Sequence, residues 1–296
     1  MRTLTLLALV GATACKPLPD DIVTPEPESG TVVLARAVEF AGGADGVSEG
    51  FDLDNAVTAR GDNTGCGIQD YTSPTGAPGI DNAFASLMPV ITATGGQALP
   101  DLVQNAVTSG ELLLLFAMSP EDAAGCIPIE VARGGSAPMI GTNGLILPGQ
   151  TFEIDRAQPS ANVTCAHKQG DGSVLGSGLT LRLPLHVFDE TIDLSMTNGT
   201  VSLIDNGDGT FHGVVSGGVS TVEVNENVQG FDAIPSVLVG AIGAALNQIA
   251  DLAPDASGTC QQMSTSIVFE GVPAFLFPDE GGVPADTDAP MDTDAG

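Results

Sequence analysis

Between Leu179 and Val187 five apolar residues, Leu179, Leu181, Leu183, Leu185 and Val187, alternate with Thr180, Arg182, Pro184 and His186. A period of two is the mark of an extended strand with one face in a core and the other toward solvent, and a helix cannot carry it. Pro184 has no N–H to give to a ladder, which predicts a sheet edge or a bulge at that point. The alternation resumes in Ile192, Leu194 and Met196. Asn198-Gly199 reads as a hairpin turn, with Val201 and Leu203 on the returning strand. A second turn, Asp205-Asn206-Gly207-Asp208-Gly209, leads into Phe211 to Val215, so this stretch predicts a meander of short antiparallel strands.

The remaining elements follow from the same reasoning. Thr31 to Phe40 and Ser266 to Phe277 read as strands. Glu111 to Met118 is a continuous apolar run between Gly110 and Pro120, too short for a buried helix and suited to a buried strand. Asp81 can cap a helix that buries Phe84, Leu87 and Met88, and Leu99, Leu102, Val103, Ala106 and Val107 fall at helical spacing on a second. Apolar residues from Phe231 to Leu252 mark one amphipathic helix ending before Pro254; Gly240, Gly243, Asn247 and Gln248 argue against a membrane span there. The expected fold is one mainly β domain over 31–277 with a few helices. Residues 31–110 carry an Asp/Gly-rich loop and helices, and 111–277 carry the strands and the long helix. Short, unevenly spaced strands favour an antiparallel β-sandwich over a barrel.

Composition narrows the function. The core must come from Leu, Val, Ile, Ala and 11 Phe, because the chain has no Trp and one Tyr, which excludes an aromatic stacking platform for sugars. With 37 acidic against 8 basic residues the formal net charge is −29, so nucleic acid and anionic lipid headgroups are repelled.

Besides Cys15 the chain has Cys66, Cys126, Cys165 and Cys260. An even set in an exported chain reads as two disulfides with three connectivities open. Sequential pairing would join Cys66 to Cys126 and Cys165 to Cys260, each bridge contributing about 3 to 5 kcal/mol on the chain-entropy model. No C-x-x-C spacing supports zinc. Cys165-Ala-His167-Lys168 places a cation near a thiol, but the disulfide reading takes precedence.

The stretch from Gly50 to Asn82 concentrates oxygen ligands on glycine-rich turns, the arrangement calcium requires, and Asp52, Asp54, Asp62, Asp70 and Asp81 are the candidate ligands. An EF-hand register from Asp52 fails, since Ala56 takes the fifth position and Asn63 the twelfth. The competing reading is that these side chains brace turns and caps through their own backbone. Gly46-Val47-Ser48-Glu49-Gly50 matches G-x-S-x-G but lacks the strand before and helix after that a nucleophile elbow needs. His167, His186 and His212 are the only histidines, and they read as surface residues. No H-E-x-x-H, phosphate-cradling G-K-[ST] or dinucleotide fingerprint is present.

The first residues, Met1-Arg2-Thr-Leu-Thr-Leu-Leu-Ala-Leu-Val10-Gly-Ala12-Thr-Ala14-Cys15, combine a positive start, an apolar stretch too short for a span and small residues before a cysteine. This resembles the bacterial lipoprotein lipobox, which implies a signal peptide over 1–14 and lipidation of Cys15. Residues 15–30 then form a Pro- and acid-rich tether, and 278–296, with repeated Asp-Thr-Asp, an acidic tail without apolar period. The tail and the segment from Gly50 to Asn82 resemble stretches of uncharacterised myxobacterial secreted proteins. The expected function is a lipid-anchored envelope protein serving as a binding or structural module, with the membrane as its partner through the lipid. The alternative is an exported hydrolase with a calcium-stabilised loop.

Overall fold

The computed structural model describes residues 30–62, 64–89, 98–187, 190–230 and 236–277. The leader, Cys15, the tether up to residue 29 and the tail 278–296 lie outside them. In chain order the described elements are β1 (Thr31–Phe40), β2 (Tyr71–Thr72), β3 (Pro78–Ile80), α1 (Ala98–Ser109), β4 (Leu114–Met118), β5 (Ile127–Arg133), β6 (Thr151–Phe152), β7 (Ala161–Lys168), β8 (Val174–Val187), β9 (Glu190–Asp205), β10 (Phe211–Ser220), α2 (Thr221–Gln229), α3 (Ser236–Ile249), β11 (Leu252–Pro254) and β12 (Cys260–Leu276).

The fold is mainly β, as the alternation implies, but the sheet closes. Strands run in the order β1-β4-β5-β7-β8-β9-β10-β12, and β12 pairs back with β1, giving an eight-stranded antiparallel barrel. Strands β6 and β11 add to β12 outside this ring. The expected sandwich is therefore corrected to a barrel. The strands are longer than their turn signals suggest: β9 has 16 residues and runs straight through Asn198-Gly199. Asn198 takes a positive φ of 50° and the β9–β10 register shifts between Ser216 and Gly218. What reads as a hairpin turn is a bulge, and bulges coil a strand until a sheet can curl onto itself.

The period-two prediction holds on β8, where Leu179, Leu181 and Leu183 are buried; side chains from 184 to 193 are not among those described. Pro184 pairs with Asp193 of β9, while β7 meets β8 only at Val174 and Leu175, so the second edge of β8 carries no described ladder partner at Pro184. Proline is tolerated there for that reason. The Phe116 and Phe269 rings stack with centroids 4.5 Å apart. Gly213 makes room for Phe269, since a Cβ on it would lie 2.0 Å from the ring.

Helix α1 lays Val103, Ala106 and Val107 against β1 and β8. Those strands are diametrically opposed in the ring order, so α1 spans one mouth. Gln104 fixes it there: its amide donates to the Arg36 carbonyl (3.0 Å) and accepts from Val38 N–H (3.4 Å), next to the β1 irregularity between Ala35 and Ala37. The void left beneath is about 10 Å³, lined by Val38, Phe40, Val103, Leu112, Leu183 and Ile267 among others. An eight-stranded barrel is just wide enough to be filled by its own side chains, and this one is filled.

The helical expectations hold in part. Residues 83–86 form a 3₁₀ turn rather than a helix capped by Asp81. The long helix covers Ser236–Ile249, and Leu252 already belongs to β11. Helix α2 is hidden in the sequence because Thr221-Val-Glu-Val alternates like a strand; Ser220 starts it as N-cap, accepting from Glu223 N–H at 3.2 Å.

The disulfides join Cys66 to Cys260 and Cys126 to Cys165, so the pairing is nested, not sequential. Ile127 of β5 pairs with Ala166 of β7, which sets Cys126 and Cys165 side by side. Cys260, at the start of β12, faces the loop that carries Cys66.

Candidate functional site

The loop from Gly42 to Asn82 lies over β12 and is tied to it by polar groups. Ser264 and Ser266 alternate with the inward residues of β12 and reach the loop instead. Asn82, 1% exposed, donates to the Ala41 carbonyl (3.0 Å) and to Ser48 Oγ (2.7 Å), and accepts from Ser266 N–H (3.2 Å). Ser264 Oγ accepts from Ala83 N–H at 2.7 Å and donates to Asp251, whose other oxygen accepts from Ser264 N–H at 2.7 Å. Ser216 and Ser266 hydroxyls meet at 2.7 Å. Gly50 sits at φ 154° directly above, where a Cβ would lie 2.6 Å from Ser266 Oγ.

Within this frame the acidic residues do two kinds of work. Asp62 accepts from Ala59 N–H (3.1 Å) and Asp54 from Ala56 N–H (2.8 Å), which is turn bracing, while Asp70 closes a longer loop by accepting from Thr58 N–H (2.6 Å). Asp81 reaches 28 residues back to accept from Leu53 N–H at 2.6 Å. That bond brings the carboxylates of Asp52, Asp54 and Asp81 within 4.8 Å of one another. Asp70 adjoins them, and Asp62 stands apart from the trio. Of the five residues singled out by the sequence, the fold thus converges three, places a fourth alongside and leaves one as a turn brace.

The electrostatics follow from burial. Asp81 is 2% exposed, and burial first, then the charges of Asp54, Asp251 and Asp70, push its carboxyl up to about 8. Burial likewise raises Asp251 to about 6, against the lowering pull of its Ser264 hydrogen bonds. Asp70 is raised by burial and by Asp54 and Asp52. A carboxyl in this position holds a proton at neutral pH or yields it to a cation. The trio offers three carboxylates to such an ion, but one Asp81 oxygen is already held by Leu53 N–H, so a calcium shell of about six to eight oxygens would need carbonyls or waters as well.

Asp251 and the serine pair are the participants that sequence reasoning does not single out. The available signal is the pair Ser264 and Ser266, two residues apart on one face of an otherwise apolar strand, which marks an outward face covered by something polar.

The catalytic alternatives do not assemble among the described residues. Ser48 is 2% exposed and its hydroxyl donates to the Glu49 carbonyl, so the G-x-S-x-G match presents no free nucleophile. His212 pairs with Glu49 at 3.2 Å on β10. His167 lies on β7, with Nδ1 3.1 Å from the Gly125 carbonyl oxygen, and two strands separate it from His212. The His186 side chain is not described. Cys165 beside His167 is closed in a disulfide and offers no thiolate. A shallow depression of about 280 Å³, lined by Glu39, Ser48, Glu49, Pro74 and Val268 among others, opens beside the loop. The chain matches no family model, no curated protein and no solved structure.

Proposed function

We propose that this protein is an exported, lipid-anchored component of the cell envelope, in which the barrel is a rigid module for binding or construction and not an enzyme. One observation carries the reading: every cysteine outside the leader is used in a disulfide, leaving Cys15 as the single thiol for another purpose. Disulfides persist in oxidising compartments, and a leader ending in a cysteine supplies the route there. The filled interior directs any binding to the outer surface, where the Asp-rich loop is the most heavily braced feature.

The test is the mass of the N-terminal peptide from membranes of the expressing cell. The expected species begins at Cys15 and carries acyl chains, and Cys15→Ser releases the protein into the soluble fraction. An intact Met1 on reduced, cytosolic protein refutes the reading. The alternative of a hydrolase with a calcium-stabilised loop is favoured in one respect only, the convergence of Asp52, Asp54 and Asp81. Its ion half predicts a melting temperature raised by calcium over chelator and insensitive after Asp52→Asn; identical curves remove it.

A further inference from the structure

Among the described residues nine large apolar side chains are exposed, and five of them, Met139, Ile140, Leu147, Phe275 and Phe277, gather at one place. Scattered apolar residues need no explanation, but a cluster does. The gathering is fixed by backbone and amide bonds. Gln150, 8% exposed, accepts from Met139 N–H (2.6 Å) and donates to the carbonyls of Met139 (3.0 Å) and Leu147 (2.7 Å). Its own carbonyl accepts from Phe275 N–H at 2.9 Å, and Phe152 accepts from Phe277 N–H at 2.9 Å. The hairpin tip carrying Met139 and Leu147 is thereby clamped to the end of β12. Met139 is 63%, Leu147 42%, Phe275 44% and Phe277 54% exposed, although the clamp beneath them is buried.

The position of this patch identifies its occupant. Val32 pairs with Ala274, so β1 begins where β12 ends, and the chain enters the barrel at Gly30 beside the patch. Only 15 residues, Lys16 to Gly30, separate that point from Cys15, and even fully extended they span at most about 50 Å. A lipid on Cys15 therefore keeps the patch, which borders the point where the tether joins the barrel, within reach of the bilayer. The turns after β4, β7 and β9 lie at the same end and carry Glu121, Asp122, Asp171 and Asp208. With a net charge of −29 they exclude an anionic surface and leave a zwitterionic one.

We infer that Met139, Leu147, Phe275 and Phe277 rest in the interfacial layer of the zwitterionic bilayer to which Cys15 is anchored. The inference rests on the anchored reading above. Acyl chains on a flexible tether fix where the domain is held but not how it is turned, and a second apolar contact beside the tether's point of entry converts a loose leash into a preferred orientation.

The chain has no Trp, so Phe277→Trp introduces a sole indole at a half-exposed site. The barrel and both disulfides are complete within 30–277, so the chain from Cys15 onward keeps the fold. That chain is coupled through its Cys15 thiol to a maleimide phospholipid in phosphatidylcholine vesicles, which sets the tether whether or not cells acylate it. The expected result is a blue shift on tethering and quenching by lipids brominated on their acyl chains. Val222→Trp, on α2 at the opposite end, remains unquenched, and adding Met139→Ser and Leu147→Ser to Phe277→Trp cuts the quenching by about twofold or more. Equal quenching of the two indoles, or none in the Phe277→Trp chain, overturns the docking. So does a Phe277→Trp emission already blue-shifted before vesicles are added, which would mean the patch is covered by a second copy or by the chain's own ends. The acyl mass on Cys15 from cells judges the anchor separately, so failure of either reading is distinguishable.

Discussion

Replacing Asp81 by Asn should change how stability depends on pH more than how large it is. Asp81 is 2% exposed, and its carboxyl is raised by burial and by neighbouring acids from 3.8 to about 8. The folded chain then keeps a proton where the unfolded chain has released it. The associated stabilisation is full below about pH 4, declines as the pH rises and is gone once it passes about 8. Asp251, raised to about 6, behaves in the same sense but is spent by that pH. From about pH 6 to 8 Asp81 is thus the carboxyl that distinguishes the two proteins, and at 1.36 kcal/mol per pKa unit its effect is bounded by about 2.7 kcal/mol. Asp52 beside it is exposed, and local opening there admits water to Asp81, which brings the expected loss to about 1 to 2 kcal/mol. Asn at 81 keeps an acceptor for Leu53 N–H and cannot titrate. Urea unfolding followed by far-ultraviolet circular dichroism, in chelator, should show wild-type stability falling by that amount between about pH 6 and 8. Asp81→Asn lacks this component, while diffuse repulsion and the histidines cancel in the difference. Parallel curves across the window, or a wild type that gains stability with pH, would refute the reasoning.

The nested disulfides should differ in worth. Removing the Cys66–Cys260 bridge, which spans 194 residues, opens a longer loop than removing Cys126–Cys165, which spans 39, and the chain-entropy model gives costs of about 5 and about 4 kcal/mol; a larger loss for the inner pair by chemical denaturation would contradict this order. Gly213→Ala should cost about 2 to 3 kcal/mol, because the new methyl occupies the space of the Phe269 ring. Most of that penalty should vanish in a Phe269→Leu background, and a double-mutant cycle with no coupling would show that the ring is not what excludes the side chain. Phe269→Ala itself, by emptying the stack on Phe116, should cost about 3 to 5 kcal/mol in the same assay.

How legible the site was depends on which residues are meant. The Gly50 to Asn82 stretch announced itself by composition, and Asp52 with Asp54 lie close in sequence. Asp81 enters their neighbourhood through one long-range bond to Leu53 N–H, and Asp251 through β11 lying beside β12. Neither approach leaves a local pattern. The same holds for the apolar patch, since Met139 and Phe275 lie far apart in the chain and are joined through Gln150.

What the sequence determined by itself was the local state of the chain. Alternation made β8 and the start of β9 extended with a buried face, the apolar run from Glu111 held a strand, and the cysteine count implied two bridges. What only the tertiary structure decided was partnership: that β12 returns to β1 and closes a barrel, that Asn198-Gly199 bends a strand without ending it, that Cys66 finds Cys260, and that carboxylates from three distant segments converge around the buried Asp81. A side chain's periodicity reports which face of its own element is apolar, because that depends on neighbours along the chain. Which element covers that face depends on twist, bulges and packing summed over the whole sheet, and those are settled only when all the strands compete for the same space.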